Sequence, residues 1–527
     1  MKTQTINKYL IFLIMSTLAF SQAVTVKGYV TDSSSKKPLV GANVYITGTG
    51  MGTSTSDEGR YNIANVSPGT YTLKASYIGY ESEQMEITVK AGEELEQDFE
   101  LEYVTIEGKA IEVTAQARGQ MDAINKQLKA KSIKNIISSD RIQELPDANA
   151  AEAVARVPGV SIRREGGEGN KVVIRGLSPK YNKITVNGTN LASTDADDRS
   201  TDLSMISQYM LEGIEVTKAG TPDQEADVLG GTVNFKLKKA PSGLHGNLVT
   251  QGMYNSLKKT QNDYKLVFDI SNRFFDDRLG LLGQIDLENR NRSSHNLAAN
   301  YVNTPADLDT INPLTLETLT LTDVARQNNR NNNLFVVDYN IPNGNISYSG
   351  LHSTIDKDIT TYANVYPLQT PDGQRNFDTG ELLNRIKVTS ETWKYEQQLS
   401  PDLKLDLFKS FSRSTNGDTN KVYNFRETAA YTTDVGNKSV ANIQEFTIND
   451  TNATWFERYD YNEYSTSEKE HAFGGNMEFD LKINNQISGK VKFGFKNRDK
   501  TREHDRDYEY ATFTYVGMND KRDTTYQ

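Results

Sequence analysis

From Pro241 to the end of the chain, apolar and polar residues alternate in short runs. Successive side chains of a β-strand point to opposite faces, so this spacing predicts strands with one apolar and one charged face. The runs "LGLLGQIDLENR", "LKLDLFKS" and "ISGKVKFGFKNRDKT" follow the same rule as "NMEFDLKI", whose apolar members are Met477, Phe479, Leu481 and Ile483. This pattern constrains the chain to a mostly β fold.

The connections between these runs are alternately short and long. Asp276-Asp277 and Ser400-Pro401-Asp402 predict tight turns, whereas 293–330 and 416–468 predict long polar loops. Strands of about ten residues joined in this way are typical of an antiparallel outer-membrane β-barrel. A soluble sandwich also alternates, but loops of this length rarely lack a core of their own. Residues 242–527 therefore predict part of a transmembrane β-barrel, with room for about ten strands.

Composition excludes several classes of protein. The 527 residues include no cysteine and five histidines, which argues against a disulfide framework and against most transition-metal sites. A formal net charge of -10 makes general nucleic-acid binding unexpected. The mean hydropathy is -0.62, and no apolar run approaches the roughly 18 residues that a transmembrane helix needs. No cofactor and no metal site are expected.

Residues 1–23 are typical of a signal peptide. Lys2 and Lys8 form a basic start, and residues 9–20 are apolar but too few to span a bilayer. Ser21-Gln22-Ala23 then offers small residues at a cleavage site. We therefore expect the mature chain to be exported.

Residues 24–102 predict a small β-sandwich. About seven short runs alternate in their polarity, and the turns Asp57-Glu58-Gly59 and Ser67-Pro68-Gly69 separate some of them. The predicted core face contains Val24, Val26, Val30, Ala42, Val44, Ile46, Tyr71, Leu73, Ala75, Tyr77, Met85, Ile87 and Val89. The stretch "PLVGANVYITGTGMGTSTSDEGRYNIANVSPGTYTLKASYIGY" resembles the carboxypeptidase-regulatory-like (transthyretin-like) module. That resemblance implies an accessory domain without peptidase activity of its own.

The alternation weakens over residues 103–129, where "EYVTIEGKAIEVTAQARGQ" predicts a linker with one extended segment. A partner can capture an exposed extended segment as an added strand, because the backbone donors and acceptors of that segment are free. An ordinary interdomain linker is the alternative interpretation.

Helix and strand signals mix over residues 130–238, which predicts an α+β domain. Asp147 is a plausible N-cap for a helix over "ANAAEAVARV", and a second short helix is predicted near 203–210. Strands are predicted at 214–216 and, after the turn Gly230-Gly231, at 232–236.

The stretch "VVIRGLSPKYNKITVNG" within this domain predicts a hairpin with a basic loop. Its strands are 172–174 and 184–186, and the loop between them contains Arg175, Lys180 and Lys183. The second strand ends at Asn187-Gly188, a pair that favours a tight turn.

None of the remaining motifs has the spacing of a catalytic or metal site. In "STDADDRSTD", Ser200 and Ile206 stand where a calcium-binding EF-hand loop that starts at Asp195 needs glycine and glutamate. We therefore expect a solvated acidic loop there. The five histidines are isolated, and the glycine-rich stretches match neither a dinucleotide nor a phosphate motif. An exported peptidase would need a set of zinc ligands, so the chain is not expected to be an enzyme.

Four further stretches resemble the TonB-dependent outer-membrane receptors, of the Bacteroidetes type that begins with a carboxypeptidase-regulatory-like domain. They are "DANAAEAVARVPGVSI", "VVIRGLSPKYNKITVNG", "IEVTKAG" and "PDQEADVLGGTVN", and their order and spacing together are specific. The resemblance implies that residues 130–238 are the plug domain, which sits inside a barrel of about 22 strands.

The resemblance also implies roles for particular residues. Residues 111–115, Ile111-Glu112-Val113-Thr114-Ala115, match the TonB box, and Arg175 and Lys218 are expected to face carboxylates of the barrel wall. The plug motif contains Gly176, Asn187, Gly188, Gly230 and Gly231.

Active transport is the function that the resemblance implies. A scarce solute (siderophore, cobalamin, oligosaccharide or peptide) would be taken up into the periplasm of a Gram-negative cell. The partners would be the TonB-ExbB-ExbD complex and outer-membrane lipid, with the N-terminal domain in the periplasm and no nucleic acid involved. A passive porin or a surface adhesin is the alternative. Since 22 strands of about ten residues need about 220 residues for the spans alone, the chain is expected to be C-terminally truncated.

Overall fold

The computed structural model describes residues 24–103, 133–144, 149–220, 227–303, 314–368, 373–431, 454–482 and 488–513, with positions 123–124, 127–128, 130, 225, 440, 443, 445 and 447. The predicted signal peptide, the predicted TonB box (111–115) and the predicted helix cap at Asp147 lie outside these residues. Within them, no helix is long and apolar enough to cross a membrane.

The N-terminal domain consists of short strands in two sheets around one core. Its strands are β1 (Val24–Asp32), β2 (Asn43–Ile46), β3 (Gly52–Ser54), β4 (Arg60–Val66), β5 (Gly69–Ser76), β6 (Glu83–Val89), β7 (Leu95–Glu96) and β8 (Phe99–Leu101). β1 pairs with β4, β7 and β8, and the second sheet has the order β3-β2-β5-β6. Buried residues alternate along β1. Val26 and Val30 of the first sheet belong to the same buried core as Val44 and Leu73 of the second, which confirms the predicted sandwich.

The plug domain, defined here as residues 149–237, has short elements joined by turns. Before it lie β9 (Lys134–Ser138) and α1 (Ser139–Gln143). The plug contains α2 (Ala150–Val154), β10 (Val160–Glu165), β11 (Glu168–Ile174), β12 (Asn182–Val186), β13 (Thr189–Asn190), β14 (Leu211–Thr217) and β15 (Gly231–Leu237). β10 and β11 form a hairpin, while β13, β12, β15 and β14 are adjacent in that order.

The predicted hairpin between residues 172–174 and 184–186 is wrong. β11 pairs antiparallel with β10, whereas β12 pairs parallel with β15. The chain between β11 and β12 turns at Arg175, whose φ is 54°, and then forms a 3-10 turn at Pro179–Tyr181. The alternation of each run predicts a strand but carries no information about its partner. The turn at Asn187-Gly188 is confirmed, since it joins β12 to the antiparallel β13.

The two helix predictions in the plug also need correction. α2 begins after Asn149, whose Oδ1 accepts hydrogen bonds from the backbone N–H groups of Ala151 (2.9 Å) and Glu152 (3.3 Å). Residues 203–210 form two 3-10 turns, Leu203–Met205 and Gln208–Met210, in place of one helix. Asp202 and Ser207 cap these turns separately, so the chain is interrupted between them.

Among the described residues, ten strands form one antiparallel sheet, which we call the wall. They are β16 (His245–Asn255), β17 (Thr260–Phe274), β18 (Leu279–Asn291), β19 (Ser294–Asn303), β20 (Leu314–Ile341), β21 (Gly344–Pro367), β22 (Arg375–Ser400), β23 (Leu403–Glu427), β24 (Thr454–Lys482) and β25 (Ser488–Thr512). They pair in sequence order, except that β18 and β19 both pair with β20. The mostly β fold class and the alternating strands after Pro241 are confirmed.

The predicted polar loops 293–330 and 416–468 are largely strand. β19 and most of β20 occupy the first, and the ends of β23 and β24 occupy much of the second. The strands from β20 to β25 contain 24 to 29 residues, well above the predicted ten, whereas β16 to β19 contain 10 to 15. In β20 the buried residues Asn328, Arg330 and Asn332 are polar. A strand whose buried face is also polar shows no apolar alternation, so its sequence resembles a loop.

The core of the N-terminal domain provides the first prediction. Leu73→Ala should destabilise this domain by about 2–5 kcal/mol, because it leaves a cavity between the two sheets. Thr72→Ala, on the exposed face of the same strand, should cost less than about 1 kcal/mol. Urea unfolding of residues 24–103 measures both values, and equal costs would contradict the sandwich core.

Candidate functional site

The tight turn between β12 and β13 attaches the plug to the wall. Asn187 has a φ of 49° and Gly188 a φ of 83°, the left-handed conformations that a two-residue hairpin turn requires. The side chain of Asn187 accepts a hydrogen bond from the backbone of Leu237 (3.1 Å) and donates one to Ser349 Oγ of β21 (3.3 Å). Lys394 of β22 donates to the carbonyl oxygen of Asn187. The turn is thus held from both the plug and the wall.

Polar contacts continue along residues 187–194, which we call the seam segment. Its partners lie on β22, β23 and β24, and the contacts are Thr189 Oγ1–Thr392 Oγ1 (2.9 Å), Asn190 Nδ2–Glu470 Oε1 (2.9 Å), Ala192 N–Ser412 Oγ (2.8 Å), Ser193 N–Glu468 Oε1 (2.8 Å) and Thr194 O–Asn416 Nδ2 (2.9 Å). A neutral hydrogen bond contributes about 0.5–1.5 kcal/mol net and a bond to a carboxylate, as at Glu470 and Glu468, about 1.5–3 kcal/mol, because water offers an equivalent bond when the contact opens. The seam segment therefore fixes the position of the plug through many contacts, each of which costs little free energy to break.

Ion pairs join acidic plug residues to basic wall residues. Arg330 of β20 bonds Glu168 of the plug, and its other terminal nitrogen bonds Glu288 of β18 at 2.6 Å. Lys357 of β21 lies 3.3 Å from Asp202 Oδ2 and 3.6 Å from Glu165 Oε2. Except for Glu165, all these side chains are buried. Removing one member of such a pair is costly, because its partner then remains as an uncompensated buried charge.

A second ionic cluster surrounds Glu225, which precedes β15. Its carboxylate bonds Lys183 of β12 and Lys496 of β25, and Arg498 lies 2.9 Å from Oε2. Burial alone would raise the pKa of Glu225, but the hydrogen bonds and charges of the two lysines outweigh it and lower the pKa to about 2. Glu225 therefore stays ionised in any physiological medium, and we call this cluster the Glu225 latch.

The predicted solvated acidic loop is wrong for two of its carboxylates. Asp202 is buried against Lys357, and Asp195 pairs with Lys171. The loop is also held by Arg502 of β25, which donates to the carbonyl oxygens of Asp195 (2.6 Å), Ala196 (2.8 Å) and Asp198 (2.8 Å). Among the described residues, no group of three or more metal-ligating side chains is arranged to hold an ion.

Among the described residues, neither Arg175 nor Lys218 contacts a carboxylate of the wall. Arg175 is exposed, and Lys218 donates to the carbonyl oxygen of Pro158 within the plug. The ion pairs between plug and wall have the reverse of the expected charges, since acidic residues of the plug pair with basic residues of the wall. Sequence reasoning missed these acids because no local pattern separates a paired carboxylate from a solvated one.

The predicted glycines lie where a side chain would be obstructed or strained. A Cβ at Gly230 would lie 2.0 Å from Asn182 Oδ1, and one at Gly231 would lie 2.7 Å from the carbonyl oxygen of Thr217. Gly176 has a φ of 74°, next to Arg175 at the end of β11. These positions keep the plug strands in close approach.

The opposite face of the wall, which we call the outer face, is apolar. In β20, β21 and β22 the plug-contacting residues Arg330, Lys357 and Lys394 are an odd number of positions from Phe335, Tyr348 and Trp393, so the aromatic rings point away from the plug. These rings form a row, with centroids 6.3 and 4.7 Å apart. Phe268, Ile270 and Ile285 of β17 and β18 are also exposed on this face. An apolar surface of this extent marks contact with a membrane or another protein.

Comparisons with known proteins agree with this arrangement. The family model described as CarboxypepD_reg-like domain matches residues 26–113, and the model described as TonB-dependent Receptor Plug Domain matches residues 126–232. The chain is 26% identical over 265 residues to the TonB-dependent receptor SusC of Bacteroides thetaiotaomicron, a match that covers 48% of this chain and 25% of SusC. It is 27% identical over 105 residues to the vitamin B12 transporter BtuB of Vibrio vulnificus, covering 19% of this chain and 17% of BtuB.

A solved structure is similar over a larger share of the chain. The siderophore receptor PiuA from Acinetobacter baumannii superposes with a TM-score of 0.31 and 12% identity, covering 72% of this chain and 62% of PiuA. The matches to the two curated relatives span a quarter or less of their own lengths.

A small domain is thus held by polar contacts on one face of a long-stranded sheet whose opposite face exposes apolar side chains. The family models identify two domains of the chain. A CarboxypepD_reg-like domain is followed by a TonB-dependent receptor plug domain.

The buried ion pairs provide the second prediction. Arg330→Met should weaken plug attachment by about 3–5 kcal/mol, because Glu168 and Glu288 remain as buried charges. Trypsin cleavage within the plug follows the population of the released state, so it should accelerate about 100-fold or more. Arg385→Met, which removes an exposed ion pair with Asp356 on the same wall, should change the rate less than about fivefold. Equal rates for the two variants would contradict the plug-holding role of Arg330.

The Glu225 latch provides the third prediction, a pH dependence. Since the pKa of Glu225 is lowered from about 4.5 to about 2, the stabilisation is complete above pH 4.5 and is lost as the pH falls towards 2. The chain has no cysteine, so Leu229→Cys allows one spin label beside the latch. Label mobility should stay constant from pH 7 to pH 4.5 and rise below it. In a Glu225→Gln background it should be high throughout, and a rise near pH 6 would contradict the lowered pKa.

Proposed function

We propose that this protein acts in the outer membrane as an active receptor that moves a scarce solute into the periplasm. The observation that carries the proposal is the plug itself, which is held on the wall by the hydrogen bonds of the seam segment, the ion pairs of Arg330 and Lys357 and the Glu225 latch. Water can replace the hydrogen bonds one at a time, so a directed pull can open these polar contacts stepwise. A passive porin or an adhesin would have no use for such a domain.

The outer face supports a membrane location. Its exposed aromatic and aliphatic side chains suit lipid, whereas the face towards the plug presents buried charged groups such as Arg330 and Lys357, which suit a polar interior. In a membrane every backbone polar group must be paired, and long antiparallel strands meet that requirement along the wall.

Energy would enter through the linker that precedes the plug. Residues 111–115 are the proposed TonB box, which the periplasmic partner TonB would capture by strand addition and pull. The TonB-ExbB-ExbD complex would supply the force, and the N-terminal domain would lie in the periplasm. The solute class stays open between siderophore, cobalamin, oligosaccharide and peptide. The similarity to the vitamin B12 transporter BtuB keeps cobalamin in that set.

The coupling step provides the fourth prediction. Val113→Pro should weaken binding of the purified periplasmic domain of TonB at least about tenfold, because proline removes a backbone donor that an added strand needs. Energised uptake in cells should be abolished, while solute binding at the cell surface persists. Gln120→Pro, in the same linker but outside the box, is the matched control. If the Val113→Pro variant binds TonB like the wild type, the box lies elsewhere or the protein is not coupled to TonB.

A further inference from the structure

A cavity of about 520 Å³ opens on the wall across β19, β20, β21 and β22. Its volume lies within the roughly 300–1,000 Å³ range of small-molecule sites. The residues that define its chemistry are Leu321, Asp323, Tyr362, Asn364, Phe377 and Thr379. They all lie towards the strand ends that are remote from the tight turns at Asp276-Asp277 and Asn343.

The cavity lies on the outer face and not on the plug side. Asp323 is twelve positions from Phe335 along β20, and Tyr362 is fourteen positions from Tyr348 along β21. Even separations place two side chains on the same face of a strand. The pairing of β20 with β21 runs without a register shift between these positions, so the faces do not exchange. The site is therefore separate from the solute path that the plug would close.

The lining combines flat apolar surfaces with fixed hydrogen-bonding groups. Tyr362 is 56% exposed, and Phe377 provides a second ring across the β21–β22 pair. Between and beside the rings, Asn364 and Thr379 offer donors and acceptors, and Asp323 offers carboxylate lone pairs. A pyranose ring has a matching character, since its C–H face is apolar and its rim carries hydroxyl groups. We propose that this cavity binds a neutral sugar residue of an oligosaccharide.

The surroundings of Asp323 argue against other occupants. Lys258 Nζ lies 3.1 Å from its Oδ1, and His295 Nε2 lies 3.4 Å from the same atom. A cationic ligand would find this carboxylate already paired, whereas a sugar hydroxyl can still donate to its free lone pairs. An anionic ligand would meet the carboxylate of Asp323, and an acyl chain would leave that charge without solvent.

The sugar has two possible sources with the same chemistry, a free oligosaccharide or the headgroup of a glycolipid beside the wall. Both sources present the same sugar to the cavity, so the experiment is designed to distinguish a free oligosaccharide from a glycolipid. The proposal goes beyond the proposed function, because it concerns the face that the plug does not touch. Its test uses no TonB, so its failure is distinguishable from failure of the coupling experiment.

The test measures sugar binding to the full chain by saturation-transfer NMR. The probes are neutral hexasaccharides of glucose, mannose, galactose and xylose, and vesicles with and without digalactosyl diacylglycerol. Hexagalacturonate, an acidic hexasaccharide, should bind at least about tenfold more weakly than its neutral counterparts. At least one neutral probe should bind, and the favoured probe type assigns the source.

Variants tie that binding to the cavity. Tyr362→Ala and Phe377→Ala should each weaken it about tenfold, the change expected when an aromatic contact is lost. Tyr362→Phe keeps the ring and should bind within about threefold of the wild type. Tyr301→Ala is the matched control, because it removes an exposed ring of β19 that does not line the cavity. Absence of binding by every neutral probe, or unchanged binding in both alanine variants with intact circular dichroism spectra, would overturn the proposal.

Discussion

The buried guanidinium of Arg330 joins plug and wall, because it bonds Glu168 of one and Glu288 of the other. A buried guanidinium offsets its loss of water only if its donors are hydrogen-bonded, and Glu168 of the plug binds one of the two terminal nitrogens of Arg330. Lys357 repeats the arrangement with Asp202 one strand further along. These ion pairs therefore help to position the plug on the inner face of the wall.

The two faces of the wall differ in their side chains. The inner face presents the buried polar groups that bind the plug, beside buried apolar residues such as Leu334, Ile355 and Val388. The outer face exposes aromatic side chains such as Phe335 and Trp393. The seam segment from Asn187 to Thr194 adds specificity through many weak contacts, while Arg330 and the Glu225 latch add fewer and stronger ones.

Much of the fold was predictable from local pattern. Alternation predicted the strands after Pro241 and the sandwich core around Val44 and Leu73, and Asn187-Gly188 predicted its turn from the backbone conformations that the pair tolerates. The pattern failed in β20, where polar residues on the buried face removed the alternation. It also failed to pair β12 correctly, because a run of alternating residues specifies a face but not a neighbour.

The sequence by itself determined the mostly β class, the order of the two N-terminal domains and the position of the glycine turns, since these depend on residues close together in the chain. The tertiary structure alone decided which charges meet. Arg175 and Lys218 belong to recognisable motifs, but Arg175 is exposed to solvent and Lys218 contacts the plug backbone. Glu168 and Asp202 belong to no recognisable motif, yet they form ion pairs with the wall. Coulomb energy depends on distance and burial, and residues more than 150 positions apart in sequence acquire both only when the sheet has formed.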